Sequence, residues 1–462
     1  MPGYHLSRRV FLYTSTIGSA ALGSAAFAAA KTTAGQADPV SDPVSGSTRG
    51  IQMFEQADLN FLTLFALGGV PYGAAEIGEI FATVDKINAA GVSYQSFCDN
   101  FIALADRVAA LATEAEESGH MASARAAHLR AAQYYNQGLF VVLGTSTPEA
   151  EPALYGKMQA QWDAACQLFE PAFERVQIPY EDTHLPGYFL SGGDGPRPTV
   201  IIMNGSDGQF VDVYAFGGAA AIERGWNALI FEGPGQGSML FERKIPFRPD
   251  WEKVIMPIVD FLVARPDVDS KRIALTGWSF GGLLVTRAAA FEDRLAAVVA
   301  DPGFVDSWTA YPKELRDLIK NGADQETVDR IWQEEIVPGT PPESWFTLLK
   351  RSEIFGQEYL DGARENRMFS SFWDYAQIIS QFNITDIAPK VNVPMLVTQY
   401  EGESFFPDGG KRLFDLLNAP KTFVEFTAAE GAGLHDGPLA PQLRNAVIFD
   451  WLDETLGTGL VH

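Results

Sequence analysis

The sequence Gly-Trp-Ser-Phe-Gly at 277–281 constrains the fold of this 462-residue chain more than any other feature. An apolar run at 273–276 precedes it, and a stretch typical of a helix follows at 283–290. Glycines flank the serine because a strand that turns sharply into a helix brings neighbouring backbone too close for side chains. The pattern predicts a turn that presents the Ser279 hydroxyl, with the N–H of Phe280 at a helix N-terminus, where it can bind an oxyanion.

Short apolar runs rich in β-branched residues recur along the chain and alternate with helical stretches. Runs that are apolar on both faces are typical of parallel strands covered by helices on both sides. The predicted strands of this kind are 199–203, 227–231, 273–276, 296–300, 395–398 and 422–426. Ahead of them, 176–180 and 187–190 are predicted to form a hairpin. The pattern predicts an α/β fold with a mostly parallel sheet.

Two helical segments are predicted beside this α/β core, which comprises 176–302 and 391–462. The first is an N-terminal helical domain at 51–175, where apolar residues recur at three- and four-residue steps. The second is a helical lid at 303–390, an insert that is rich in large aromatic side chains. Most of these aromatics are expected to form the core of the lid, and a minority to line an apolar pocket.

A serine nucleophile requires a base, and the chain has six histidines. They are His5, His120, His128, His184, His435 and His462. Enzymes built around such a serine turn place the nucleophile first, the acid second and the histidine last along the chain. Only His435 lies in a loop after the last predicted strand, so His435 is predicted to be the base.

The third member of such a site is an acid that orients the imidazole. Glu401, Glu403 and Asp408 lie in the loop that follows the strand predicted at 395–398. Glu403 is favoured because this acid often lies four residues before a proline. Asp301 is the alternative from the end of an earlier strand.

A second oxyanion donor is expected from the loop after the strand at 199–203. That loop reads Asn-Gly-Ser-Asp-Gly at 204–208. We predict that the N–H of Ser206 acts together with that of Phe280, with Asp207 as the next choice.

The formal net charge of -24 disfavours nucleic acids and anionic membrane surfaces as partners. The Gly-rich run at 232–237 lacks the ending of a phosphate loop and the spacing of a dinucleotide fingerprint, so it is predicted to be a tight turn. Cys98 and Cys166 lack metal-ligand spacing, and we expect two free buried thiols rather than a disulfide. No metal or organic cofactor is predicted, and the expected partner is a small apolar carbonyl substrate.

The N-terminus reads Ser-Arg-Arg-Val-Phe-Leu at 7–12, followed by an apolar run that ends in small residues near Ala30. This layout predicts a twin-arginine-type signal peptide at 1–30 and export to the periplasm or the medium. An uncleaved anchor or a disordered tail is the alternative. Residues 31–50 are predicted to be a flexible linker, and no stable membrane span is expected after processing.

Further motifs occur in chain order with the serine turn. They are Asn-Gly-Ser-Asp-Gly at 204–208, Gly-Pro-Gly-Gln-Gly at 233–237, Phe-Arg-Pro-Asp-Trp at 247–251, Arg-Pro-Asp-Val-Asp at 265–269 and Ala-Asp-Pro-Gly at 300–303. Together, over roughly 51–455, they resemble the α/β-hydrolases related to 2,6-dihydroxypseudooxynicotine hydrolase and to fungal pigment polyketide-shortening hydrolases. The resemblance implies an α/β-hydrolase fold.

The same resemblance implies that Ser279, Glu403 and His435 are catalytic and that a homodimer forms through the helical domain. This chain departs from the family pattern at Trp278 and Phe280 of the serine turn, and in having Glu403 where the acid is often Asp. The expected reaction is attack on a carbonyl carbon through an acyl-enzyme, with hydrolysis of a C–C bond beside a ketone in a 1,3-dicarbonyl-type compound. A carboxylesterase, an acyl transferase and a non-catalytic binding protein on the same scaffold are the alternatives.

Overall fold

The structure is a computed structural model that describes residues 52–311 and 313–458. The predicted signal peptide at 1–30 and linker at 31–50 lie outside the described residues. In the part of the chain that is described, no helix is long and apolar enough to cross a membrane.

Eight strands of the described chain form one sheet in the order β1-β2-β4-β3-β5-β6-β7-β8. They are β1 (Glu174–Tyr180), β2 (Thr183–Leu190), β3 (Arg197–Met203), β4 (Asn227–Phe231), β5 (Val268–Trp278), β6 (Ala297–Asp301), β7 (Met395–Tyr400) and β8 (Lys421–Phe426). The pairs β1–β2 and β2–β4 are antiparallel, and all other neighbours are parallel. The predicted mostly parallel sheet with a leading hairpin is therefore confirmed.

Helices cover both faces of this sheet, and its central strands are therefore buried on both sides. They are α1 (Ala57–Gly68), α2 (Ile77–Ala90), α3 (Tyr94–Glu117), α4 (Met121–Val141), α5 (Glu151–Gln167), α6 (Phe210–Val213), α7 (Ala219–Glu223), α8 (Gly237–Phe241), α9 (Glu252–Val263), α10 (Gly281–Ala289), α11 (Lys313–Lys320), α12 (Gln325–Ile331), α13 (Pro342–Ser352), α14 (Gln357–Arg364), α15 (Phe372–Ile379), α16 (Gly409–Leu416) and α17 (Pro441–Leu456).

Among the N-terminal helices, α3 has its apolar residues on one face, whereas α4 is buried on several faces. Helix α3 begins with a capping box between Ser93 and Ser96, and it buries Phe97, Phe101 and Val108 along one side. Cys98 on α3 and Cys166 on α5 are both free and buried.

The segment between β6 and β7 carries α11 to α15 and is joined to the N-terminal helices by buried charges. Arg364 on α14 donates from Nε to Glu151 Oε2 of α5 at 2.9 Å. Lys350 on α13 lies 3.8 Å from Glu151 Oε1 of α5 and donates to Glu353 Oε1 within the insert at 2.6 Å, and all three side chains are at most 5% exposed. Since unpaired charges are costly in such a place, these pairs fix the insert against the N-terminal helices.

A further buried ion pair joins the end of the sheet to the last helix. Arg444 on α17 binds the carboxylate of Asp301 at the end of β6, and these side chains are 3% and 0% exposed. The hydroxyl of Tyr400, the last residue of β7, also donates to Asp301 at 2.6 Å. The pair therefore fixes α17 against two central strands.

We predict that Arg444→Met lowers the free energy of unfolding by about 3 kcal/mol, because it leaves the Asp301 charge buried without its cation. Urea titration followed by circular dichroism measures this loss. The matched control is Arg367→Met, which removes an ion pair with Glu365 whose side chains are 52% and 62% exposed. That variant should change stability by less than about 1 kcal/mol, and equal losses would contradict the prediction.

Candidate active site

The serine turn lies where β5 meets α10, near the middle of the sheet. Ser279 has a left-handed backbone with φ of 53°. Its N–H donates to the carbonyl oxygen of Asp301 at 2.8 Å and to Asp436 Oδ1 at 3.1 Å. A Cβ on Gly277 would lie 2.6 Å from the carbonyl oxygen of Gly281. The glycines are thus required by the close passage of the backbone, as the sequence motif predicts.

Three side chains from three separate loops form a hydrogen-bonded relay. Ser279 Oγ lies 2.9 Å from His435 Nε2, and His435 Nδ1 lies 2.6 Å from Glu403 Oε2. The other oxygen of Glu403 accepts from the N–H groups of Phe405 and Phe406 at 2.8 and 3.1 Å. Because the Nδ1–H is held by a carboxylate, Nε2 is free to accept the serine proton.

The alternative acids lie away from the imidazole. Glu401 accepts from the N–H of Ala428 at 2.7 Å, and Asp408 is exposed at the start of α16. Asp301 is occupied by Arg444 and Tyr400. Of the predicted candidates, the structure brings Glu403 to His435.

The loop after β3 passes directly beside the serine turn. A Cβ on Gly205 would lie 2.8 Å from Ser279 Cβ and 2.9 Å from the N atom of Phe280. Within the described residues, neither the N–H of Phe280 nor that of Ser206 donates to a protein acceptor. Both groups are therefore available to a substrate oxygen, and their role as the oxyanion hole stays a prediction.

The Gly-rich turn after β4 supports this loop. Gln236 Nε2 donates to the carbonyl oxygens of Asn204 and Gly205 at 2.9 and 2.8 Å. Each carbonyl belongs to the peptide whose N–H comes from the next residue, so Gln236 fixes the plane of the peptide that carries the Ser206 N–H. The sequence predicts only a tight turn here, although a glutamine among glycines directly after a strand is a usable signal.

Burial and the neighbouring carboxylates shift the pKa of His435 in opposite directions. Burial lowers the pKa of His435, but the carboxylates of Asp436 and Glu403 raise it, to about 9. The pKa of Asp436 is raised to about 7, mainly by burial, although His435 lowers it. Asp436 Oδ2 lies 3.3 Å from His435 Nε2, so this second carboxyl group borders the same nitrogen as Ser279. The residue directly follows His435, but no pattern in the sequence indicates a role for it.

The serine opens into a cavity of about 160 Å³ that three parts of the chain enclose. Helices α1 and α4 contribute aromatic and aliphatic side chains, including Phe65 and Phe140. The insert between β6 and β7 contributes Phe346 and Phe355. Most other aromatic residues of that insert are buried against one another, as Trp332 and Phe369 are, with ring centroids 4.9 Å apart.

Polar side chains line parts of the cavity. Asn136 Nδ2 on α4 donates to Asp212 Oδ2 at 2.7 Å, and the neighbouring Gln137 lines the cavity with its buried Oε1 unpaired. On another side, Arg351 of α13 donates to Ser206 Oγ at 3.3 Å and binds Asp207. The insert thus contacts the predicted oxyanion loop directly, which no local pattern in the sequence indicates.

The described residues, 52–311 and 313–458, show no cluster of side chains suited to bind a metal ion. These residues contain no group of three or more His, Cys, Asp or Glu side chains that could hold a metal ion.

Comparisons with known proteins find similarity to hydrolases. Residues 94–323 match the family model described as FrsA-like esterase. The hydrolase LUC6 of a Fusarium species is 28% identical over 443 residues, which is 88% of this chain and 98% of that protein. The 20-hydroxy-prefusarin hydrolase FUS2 of Gibberella moniliformis is 32% identical over 59% of this chain, and the match spans 66% of its own length.

Solved structures share the fold. The 2,6-dihydroxy-pseudo-oxynicotine hydrolase superposes with a TM-score of 0.63 at 21% identity, over 85% of this chain and 97% of that chain. The protein AbyA5 superposes with a TM-score of 0.52 at 18% identity, over 87% and 99% of the two chains. At these identities the likeness concerns the fold.

We predict that hydrolysis of a p-nitrophenyl ester speeds up with rising pH, with an inflection near pH 9. Only the neutral imidazole of His435 can accept the serine proton, and its pKa is raised to about 9. The measurement is kcat/KM from about pH 6 to about pH 10, with the Ser279→Ala variant as the background rate. An inflection near the ordinary value of about 6.5 would contradict it.

We also predict that Gly205→Ala lowers kcat by about 10²–10³, because the added methyl group would crowd Phe280 N and block the oxyanion position. Steady-state kinetics measure the loss, and circular dichroism verifies that the variant is folded. The control is Gly78→Ala on α2, where a Cβ would meet nothing within 4 Å. Equal activity of both variants would exclude Gly205 from the site.

Proposed function

We propose that this chain, which has an α/β-hydrolase fold and is similar to the FrsA-like esterases and to fungal hydrolases, is a serine hydrolase acting on a carbonyl carbon. One observation carries the proposal: Ser279 Oγ lies 2.9 Å from His435 Nε2, whose Nδ1 lies 2.6 Å from Glu403. These distances suit the transfer of the serine proton to the imidazole.

In the proposed reaction the substrate carbonyl oxygen faces the N–H groups of Phe280 and Ser206. His435 takes the proton of Ser279 while Oγ attacks the carbonyl carbon. The tetrahedral intermediate collapses to an acyl-enzyme, and the leaving group takes a proton. Water, activated by His435, then releases the acid and restores the serine.

The bond proposed to break is a C–C bond beside a ketone, in a small apolar 1,3-dicarbonyl-type compound. The walls of the cavity favour such a substrate, since they are mainly apolar and include many aromatic side chains, with polar groups such as Asp58, Asn136 and Arg351 at several points. The relative named 20-hydroxy-prefusarin hydrolase is, by its name, a hydrolase of an organic small molecule, which is consistent with a small organic substrate here.

Carboxylester hydrolysis is the second candidate, and the match to FrsA-like esterases over 94–323 favours it. It uses the same relay, with an alkoxide in place of an enolate as the leaving group. Export through a twin-arginine signal and a homodimer stay predictions.

We predict that Ser279→Ala abolishes hydrolysis of both an aryl 1,3-diketone and a p-nitrophenyl ester, with losses of at least about 10⁴ in kcat, because the acyl-enzyme cannot form. Product analysis by mass spectrometry and absorbance measures both reactions with the wild type alongside. Faster cleavage of the diketone by the wild type supports the C–C hydrolase, and cleavage of the ester alone supports a carboxylesterase.

The control for this experiment is Ser404→Ala, a loop serine next to Glu403 that forms no part of the relay. Its activity should stay close to that of the wild type. If Ser279→Ala matched the wild type on either substrate, Ser279 would not be the nucleophile and the proposal would fail.

A further inference from the structure

Asp436 has a position that the Ser279–His435–Glu403 relay does not use. Its Oδ1 accepts the N–H of Ser279 at 3.1 Å, and its Oδ2 lies 3.3 Å from His435 Nε2. The side chain is 3% exposed and lines the cavity. One carboxyl group therefore borders the nucleophile, the base and the space for the substrate.

We propose that Asp436 is a second catalytic acid, which delivers a proton to the carbon atom of the leaving group when a C–C bond is cleaved. This inference rests on the proposed serine hydrolase function and adds the residue that a carbon leaving group requires. An enolate must gain a proton on carbon, whereas a p-nitrophenolate leaves as a stable anion.

The contact between Asp436 and His435 implies a shared proton. A carboxylate and a neutral imidazole nitrogen both accept, so the approach of Oδ2 to Nε2 is favourable only when one of them carries a proton. The pKa of Asp436 is about 7 and that of His435 about 9. Between these pH values the pair holds one proton, which can reside on either side chain.

The groups around Asp436 favour its protonated form. The charged and titratable groups that act on Asp436 are His435, Glu403, Asp301, Arg444 and Tyr400. Arg444 neutralises Asp301 by direct pairing, and Glu403 is held by His435 Nδ1. Burial then favours the protonated form of Asp436, since it disfavours a further charge.

The proposed cleavage requires three proton transfers. The Ser279 proton passes to His435 Nε2 as the bond from Oγ to the carbonyl carbon forms. The C–C bond breaks, its electron pair stays on the leaving carbon, and Asp436 gives that carbon its proton. The imidazolium proton then passes to Asp436 Oδ2, which leaves His435 neutral and able to activate water for deacylation.

The test compares two leaving groups in Asp436→Asn. Asparagine keeps the Oδ1 acceptor for the Ser279 N–H and tolerates the left-handed backbone at this position, where φ is 62°. We expect kcat for an aryl 1,3-diketone to fall by about 10²–10⁴, while kcat for a p-nitrophenyl ester stays within about threefold at pH 9. A merely structural role would lower both rates alike, and that result would overturn the proposal.

The pH profiles give a second readout. In the wild type, diketone cleavage should decline above about pH 9 as the shared proton is lost, whereas ester cleavage should reach a plateau. In Asp436→Asn the ester inflection should move down by about one pH unit or more, because a carboxylate that raises the pKa of His435 is gone. The control is Asp408→Asn, an exposed left-handed aspartate that should change neither profile.

Failure of the C–C hydrolase proposal is distinguishable from failure of this one. If the wild type cleaves esters alone, the same variant is tested on an ethyl ester beside a p-nitrophenyl ester of the same acid. Loss confined to the ethyl ester, whose alkoxide needs a proton, supports Asp436 as the acid. Equal rates for the variant and the wild type on both esters would overturn it.

Discussion

The N–H of Ser279 holds three parts of the chain together. It donates both to the carbonyl oxygen of Asp301 and to Asp436 Oδ1, so the end of β5, the end of β6 and the histidine loop meet at one hydrogen. The left-handed serine is thus held from two sides. Backbone strain of this kind persists only where the surroundings determine it fully, and the glycines at 277 and 281 leave room for that backbone.

The sequence was sufficient to predict the sheet, because the signal for a doubly covered parallel strand is local. The strand predicted at 227–231 agrees with β4 at both ends, and 395–398 falls inside β7. The serine turn is equally local. His435 was reached by elimination along the chain order, and the structure brings it to Ser279 although the two lie 156 positions apart. The sheet prediction is confirmed, and the catalytic roles stay predictions.

The remaining features of the site depend on contacts between distant segments. Arg351 reaches Asp207 across 144 positions, and the Asn136 amide reaches Asp212 across 76. No short stretch of the sequence indicates that these distant residues pair. The sequence leaves four candidates for the acid that orients His435, namely Glu401, Glu403, Asp408 and Asp301, because all four follow predicted strands. Only the path of the loop decides which carboxylate faces Nδ1 of His435. No sequence pattern indicates Asp436, because its importance comes from facing the nitrogen of His435 that Ser279 also faces.

During synthesis, the parts of the site leave the ribosome in chain order. A ribosome releases the N-terminal helices first, then the serine turn, and the loop bearing His435 only shortly before α17. Until that loop docks, Ser279 has neither a base nor the contact from Asp436 that helps to hold its turn. A growing polypeptide therefore lacks the complete relay of Ser279, His435 and Glu403, which forms in a single late event when the loop docks.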